Sequence, residues 1–291
     1  MELRVLKYFL TVAQEENITK AAKLLHITQP TLSRQLMALE EELGVQLFYR
    51  SRHKIMLTED GLLLKRRAGE ITELSEKTVA EISHSNDDLS GEISIGCGET
   101  MSMDILAKII FSFREKYPQV RFDIYSAIAD DVKERLERGA LDMGLFVEPV
   151  DIDKYDFIRM PEKEKWGVIV PDTSKLAKKE FLTPKDLTDV PVMMSKRSSI
   201  RNELANWFGE YYDKLNIVSS FNLTPNAAML VKNNIGVAIS LDLPNKVEGL
   251  SFVPLYPVLE TYTVVAWKRH QEQSRLIKGF IHHIKKCLKG I

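Results

Sequence analysis

The chain has 291 residues, 40 basic and 41 acidic side chains, a formal net charge of -1 and 44% hydrophobic residues. This is ordinary globular composition with room for one large or two to three smaller folded units, and it supplies no global cationic field. Any nucleic-acid partner must therefore be engaged by locally placed Lys and Arg.

Cys97 and Cys287 are the only cysteines and lie far apart, which argues against a disulfide scaffold or a Cys-based zinc site. From Met1 to Leu25 charged and apolar residues alternate, and no stretch approaches the roughly 18 apolar residues of a membrane span. The expectation is a cytoplasmic protein without signal peptide or membrane contact.

Leu3, Leu6, Phe9, Leu10 and Ala13 recur at helical spacing and predict a first amphipathic helix. Asn17 is placed to cap a second helix over Ile18 to Leu25, and Thr28 a third, with Pro30 in its first turn. Leu32, Leu36, Leu39 and Leu43 give that third helix one core-facing stripe, and Gly44 ends it. Gln29, Pro30, Ser33, Arg34 and Met37 lie off the stripe: short or amide side chains with one Arg, suited to a DNA groove. This polarity fits a helix-turn-helix, which inserts its second helix N-terminus first, but a plain three-helix core with a solvated face has the same pattern. Val45 to Arg50 and Lys54 to Leu57 then read as two short strands around a basic tip, Ser51-Arg52-His53. With Lys20, Lys23 and Arg34 this makes a cluster of positive charge suited to phosphates.

The residues Phe9-x-x-Val12-Ala13, Asn17-Ile18-Thr19-x-Ala21-Ala22-x-x-Leu25, Thr28-Gln29-Pro30-x-x-Ser33, Leu39-Glu40-x-x-Leu43-Gly44-Val45-x-Leu47-Phe48-x-Arg50 and Leu57-Thr58-x-x-Gly61 resemble the LysR-type transcriptional regulators. Many fixed positions over about sixty residues carry that resemblance. It departs at Asn17-Ile18, where the family usually has Ser and an aromatic residue. The resemblance implies a winged helix-turn-helix over residues 1–58. By that resemblance Gln29, Pro30 and Ser33 would read bases and Arg34, Arg50 and Arg52 contact backbone or groove; Thr28, Thr31, Met37 and Lys54, on the same helix and wing, complete the candidate DNA-binding set.

Thr58 is placed to cap a long helix. Leu64, Ala68, Ile71, Ser75, Thr78 and Ile82 form a weak seam that fits either a partner helix or the helix's own domain. The resemblance implies dimerisation through a linker helix at 59–88, and often tetramers. Ser83 to Gly91 reads as a hinge.

From Glu92 strands and helices alternate, predicting α/β architecture with mostly parallel strands. The resemblance implies a two-lobed effector domain over 89–291, like periplasmic binding proteins: lobe I at 92–160 plus 267–291, lobe II at 161–266. Ligands of open α/β sheets bind at strand C-termini near helix N-termini. Gly98, Glu99, Thr100 and Met101 follow one strand; Ser195, Lys196, Arg197, Ser198 and Ser199 follow another. Ala127, Phe146, Val147, Asn222 and Thr224 complete the candidate effector site. Converging N–H groups, hydroxyls and two cations favour a small anion, with Glu99 opposing.

Cys97, near a helix N-terminus, is a candidate for a lowered thiol pKa. His282-His283 reads as solvated rather than metal-binding. No G-x-S-x-G, Walker, HExxH or complete G-x-G-x-x-G motif supports an enzyme, and no cofactor is implied. A solute-binding receptor would require export. The expected function is a ligand-responsive regulator that binds an interrupted palindrome as a dimer or tetramer, and RNA polymerase if it activates.

Overall fold

In the computed structural model, which describes residues 1–50, 55–83, 89–242, 247–269 and 273–289, the chain divides into two units, Met1–Ser85 and Asn86–Ile291. The first begins with α1 (Leu3–Glu15), closed by Glu16 in the left-handed region at φ 50°. The Asn17 side chain accepts the Lys20 N–H at 3.0 Å and starts α2 (Ile18–Leu24). Thr28 caps α3 (Gln29–Leu43) through the Thr31 N–H, and Gly44 at φ 70° ends it.

Phe9, Val12, Ala21, Leu32, Leu36 and Leu39 are buried together. Leu43, expected in the same stripe, is 40% exposed, one turn beyond the last residue that reaches this core. The first wing strand is shorter than expected: β1 (Phe48–Arg50) pairs antiparallel with β2 (Ile55–Leu57). Glu40 explains the late start, because its carboxylate accepts the N–H groups of Leu47 and Phe48 at 2.8 and 3.3 Å.

α4 (Glu59–Ser83) begins where the Thr58 hydroxyl donates to Gln46 O and accepts the Gly61 N–H. A Cβ at Gly61 would stand 2.1 Å from Leu47 O, so only glycine fits this approach. The expected seam divides. Ala68 is fully buried in this unit's own core, with Leu64 packed against it. Ile71, also of the seam, is exposed, and with Leu63 and Leu74 it carries an exposed apolar face. Of the expected hinge, residues 84–88 lie outside the described residues.

The second unit opens with β3 (Gly91–Cys97), α5 (Ser102–Lys116), β4 (Val120–Ser126), α6 (Ala129–Glu137) and β5 (Met143–Val147). The 17-residue β6 (Tyr155–Pro171) follows, then β7 (Pro191–Ser195), α7 (Ser198–Phe208), β8 (Asn216–Phe221), α8 (Thr224–Lys232) and β9 (Val237–Leu241). β10 (Leu250–Pro254), β11 (Glu260–Lys268) and α9 (Arg275–Leu288) end the described chain. The sheet order is β4-β3-β5-β11-β6-β9-β7-β8, with β10 on β6.

The strands are not mostly parallel. β3 with β4 and β5, and β7 with β8 and β9, are parallel, but every pairing through β6 or β11 is antiparallel. Two parallel half-sheets are thus joined by two antiparallel crossover strands. Lobe I is β4-β3-β5 with α5, α6 and α9; lobe II is β9-β7-β8 with β10, α7 and α8. β6 pairs with β11 up to Lys165 and with β9 from Trp166 onward. Thr261–Ala266 had been expected in lobe II. Yet Val264 and Ala266 are buried with Phe146, and Val265 with Ile95 and Phe280, in the two lobe I cores.

α7 stops at Phe208, because Gly209 takes φ 54° and a 3-10 turn continues over Gly209–Lys214.

Candidate functional site

In the first unit the site is the solvent face of α3. Thr28, Gln29, Pro30, Arg34 and Met37 are exposed, and Thr31 and Ser33 half-buried. Gln29 Nε2 donates to Ser33 Oγ at 2.9 Å, and the Thr28 and Thr31 hydroxyls are 2.8 Å apart. Arg34 Nε reaches Pro30 O at 3.4 Å. These groups span about two turns at the start of α3, opposite the leucine stripe. Arg50 ends β1, and its side chain is not among the described groups; Arg52 and Lys54 lie outside the described residues.

In the second unit the site is a cleft of about 760 Å³ between the lobes. Of the expected residues it is lined by Gly98, Glu99, Ala127, Phe146, Val147, Ser195, Lys196, Arg197, Ser198, Asn222 and Thr224. Ser199, Thr100 and Met101 do not line it. A cavity of about 390 Å³ adjoins the cleft and shares Gly98, Glu99, Thr224 and Leu241 with it.

Thr100 and Met101 are turned away for a specific reason. Glu164, on β6 and 1% exposed, fills the N-terminus of α5. Its Oε1 accepts the Thr100 hydroxyl at 2.5 Å, the Ser102 hydroxyl at 2.7 Å and the Ser102 N–H at 2.9 Å, and its Oε2 accepts the Met101 N–H at 3.1 Å. Thr263 donates to Ser102 Oγ at 2.5 Å. The donors expected to meet an effector are thus satisfied by the protein's own carboxylate. Glu99 does the same across the lobes, accepting the Thr224 N–H at the start of α8 at 3.1 Å. Burial pushes the Glu99 carboxyl above its usual range, and the Thr224 N–H partly offsets this.

Most of the remaining polar groups are on lobe II, with Asp130 of α6 facing them from lobe I. Arg197 crosses to lobe I, donating to Val147 O at 3.2 Å and Pro149 O at 2.7 Å. Burial lowers its pKa, with Asp130 opposing. Lys196 is exposed in the cleft, and the first turn of α7 has no side-chain cap. Trp166, Asp130, Ser220, Phe221 and Ser240 also line the cleft and were not anticipated. Phe221 and Leu241 end β8 and β9, so the strand-end rule could have found Ser220 and Ser240. No local signal marks Glu164, whose partners are 62 to 64 residues away in sequence.

Cys97 is buried, and its thiol is raised, not lowered, chiefly by desolvation; the Ser126 hydrogen bond opposes this and Glu99 adds to it. His283 is half-buried, 2.8 Å from Ser112 Oγ and 3.5 Å from Cys287 Sγ, rather than solvated as expected. Burial pushes its pKa down, helped by Lys116 and Lys286. No group of three or more potential metal ligands occurs among the described residues, and no described helix is long and apolar enough to cross a membrane.

The family model described as the LysR substrate binding domain matches residues 86–288, and the lysR-family bacterial regulatory helix-turn-helix model matches residues 3–62. The chain is 30% identical over 250 residues to the transcriptional regulator BsdA of Bacillus subtilis, covering 82% of this chain and 83% of that one. It is 29% identical over 301 residues to the Hca operon transcriptional activator HcaR of Escherichia coli, covering 100% and 99%. Full-length CbnR complexed with its target DNA has a similar fold, with a TM-score of 0.79 at 21% identity over 99% of this chain and 100% of that one.

Proposed function

Because the chain belongs to the LysR family of bacterial transcriptional regulators, with a helix-turn-helix and a ligand-binding domain, we propose specific roles for its two sites. The exposed face over Thr28–Met37, at the N-terminal end of α3, enters the major groove. Gln29 and Ser33 read base edges there, while Thr28, Pro30, Thr31, Arg34 and Met37 seat the helix. Arg50, Arg52 and Lys54 of the wing contact phosphates.

In the second unit a small anion enters the cleft between the lobes and changes how the protein engages its operator. The observation that carries this is the cleft itself: about 760 Å³, bounded by both lobes, with Lys196 and the uncapped start of α7 as its positive side. Two-fold pairing through the exposed Leu63, Ile71 and Leu74 face of α4 makes a dimer whose operator is an interrupted palindrome. Dimers pair into tetramers, and the protein acts in the cytoplasm, touching RNA polymerase where it activates.

The test is footprinting of the full-length protein on its own promoter region with and without a panel of carboxylates at millimolar concentration. A carboxylate-dependent change in the protected region supports the proposal. A footprint indifferent to every carboxylate, together with a monomer by sedimentation at full operator affinity, would contradict it.

A further inference from the structure

Among the described residues, two buried side-chain polar atoms lack a hydrogen-bond partner, Trp166 Nε1 and Glu203 Oε2. Only Trp166 lines the cleft, and its residue is 4% exposed. It stands where the chain passes between lobes: Lys165 is the last β6 residue paired with β11, and Trp166 the first paired with β9. Its backbone is held on both sides, donating to Leu259 O at 3.0 Å and accepting from Leu255 N at 3.1 Å. The ring packs in the lobe II core that also holds Ile200, in the first turn of α7.

An indole N–H can only donate, and a buried donor without an acceptor is unfavourable. Tertiary structure has set this residue against the cleft and left its donor no acceptor among the described residues. On lobe I the N-terminus of α5 is already occupied by Glu164, while the start of α6 brings the carboxylate of Asp130 to the cleft. The cationic side of the cleft, Lys196 and the start of α7, is thus on lobe II, and Trp166 lines the same cleft from the crossover strand.

We infer that Trp166 is a specificity-determining donor, whose indole N–H reads an acceptor oxygen on an anion held by Lys196 and the start of α7. This rests on the proposed effector cleft and narrows the effector class. The ligand is a carboxylate that carries a second acceptor, a carbonyl, hydroxyl or ether oxygen, on a short body. A carboxylate lacking that oxygen leaves the N–H unpaired and binds more weakly.

Matched pairs test it: glutarate against 2-oxoglutarate, and hexanoate against 5-oxohexanoate, titrated calorimetrically into the full-length protein. Two altered proteins accompany wild type. One is Trp166→Phe. The other carries β-(3-benzothienyl)alanine at position 166, which keeps the bicyclic ring and deletes only the N–H, so it stays informative if the Phe variant folds poorly.

In wild type the oxo member of at least one pair should bind about three- to tenfold more tightly than its partner, as one net hydrogen bond supplies. In the benzothienyl protein that ratio should fall to about one, with affinity for glutarate or hexanoate unchanged. A merely structural role would move both members together. An oxo preference that survives loss of the N–H overturns the inference, as does equal binding of both members to wild type, the result expected if water alone satisfies the indole. If none of these carboxylates binds wild type at millimolar concentration, the anion-binding proposal itself fails.

Discussion

Replacing Glu164 by Ala removes the acceptor of four hydrogen bonds at the start of α5, from the Thr100 hydroxyl, the Ser102 hydroxyl and the N–H groups of Met101 and Ser102. Bonds to a charged acceptor contribute about 1.5–3 kcal/mol each, a gross of about 6–12 kcal/mol. Three effects reduce that sum. The Ser102 N–H keeps Thr100 Oγ1 as a second acceptor at 2.9 Å. Met101 is partly exposed, so its N–H can recover water. Burying the carboxylate itself costs several kcal/mol, which the variant no longer bears. The expected net loss is about 3–5 kcal/mol for Glu164→Ala, and about 2–3 kcal/mol for Glu164→Gln, which keeps the shape but must turn an amide N–H toward a donor.

Urea unfolding followed by tryptophan fluorescence reads this cleanly, because Trp166, Trp207 and Trp267 all lie in the second unit. Acetate should restore part of the stability of the Ala variant by entering the vacated position beside the helix N-terminus. A loss below about 1 kcal/mol for Glu164→Ala, or no response to acetate, would refute the account of Glu164 as an internal anion.

Three further outcomes follow from other parts of the molecule. Gln29→Ala or Ser33→Ala should lose about 1–3 kcal/mol of discrimination at one operator position per half-site, measured by binding to base-substituted operators, with folding unchanged. Gly61→Ala should destabilise the first unit by about 2–4 kcal/mol in thermal denaturation of the full-length protein followed by circular dichroism, since the new methyl meets a backbone oxygen; a stability within error of wild type would contradict the close approach. Glu99 binds its proton more tightly folded than unfolded, so it makes stability fall as pH rises from the ordinary carboxyl range through its raised folded value. Glu99→Gln should remove that decline from the pH profile of the urea midpoint, and profiles that stay parallel would count against it.

The first unit is largely legible in sequence because its determinants are local. Asn17, Thr28 and Gly44 cap helices within four residues of the groups they serve, and Leu32, Leu36 and Leu39 mark one face. The phase of α4 is less legible, because apolar residues lie on two sides and periodicity does not say which side the same domain covers. In the second unit the parallel half-sheets show as alternating apolar runs, whereas the first half of β6 does not. There Asp156, Arg159, Glu162 and Lys163 interrupt the apolar pattern, and antiparallel pairing with β11, about a hundred residues away, supplies the order. The cleft residues were reachable from strand ends and helix starts. Which of them are already occupied was not, since Thr100 meets Glu164 and Glu99 meets Thr224 only after folding.

The two crossover strands also set an order of assembly during synthesis. Lobe II is one continuous stretch between β6 and β11, so all its strands and helices leave the ribosome together. Lobe I is split: its core takes Val264, Val265 and Ala266 from β11 and Phe280, Ile281 and Ile284 from α9, all near the end of the described chain. Leu89, at the start of the second unit, rests against Gly279, where a Cβ would come within 2.7 Å of it. The lobe begun first is therefore finished last, and until α9 emerges the core that α5 shares with β3 and β5 keeps part of its apolar surface uncovered. Truncation within α9 should thus expose nascent lobe I to aggregation while leaving lobe II able to close on its own core.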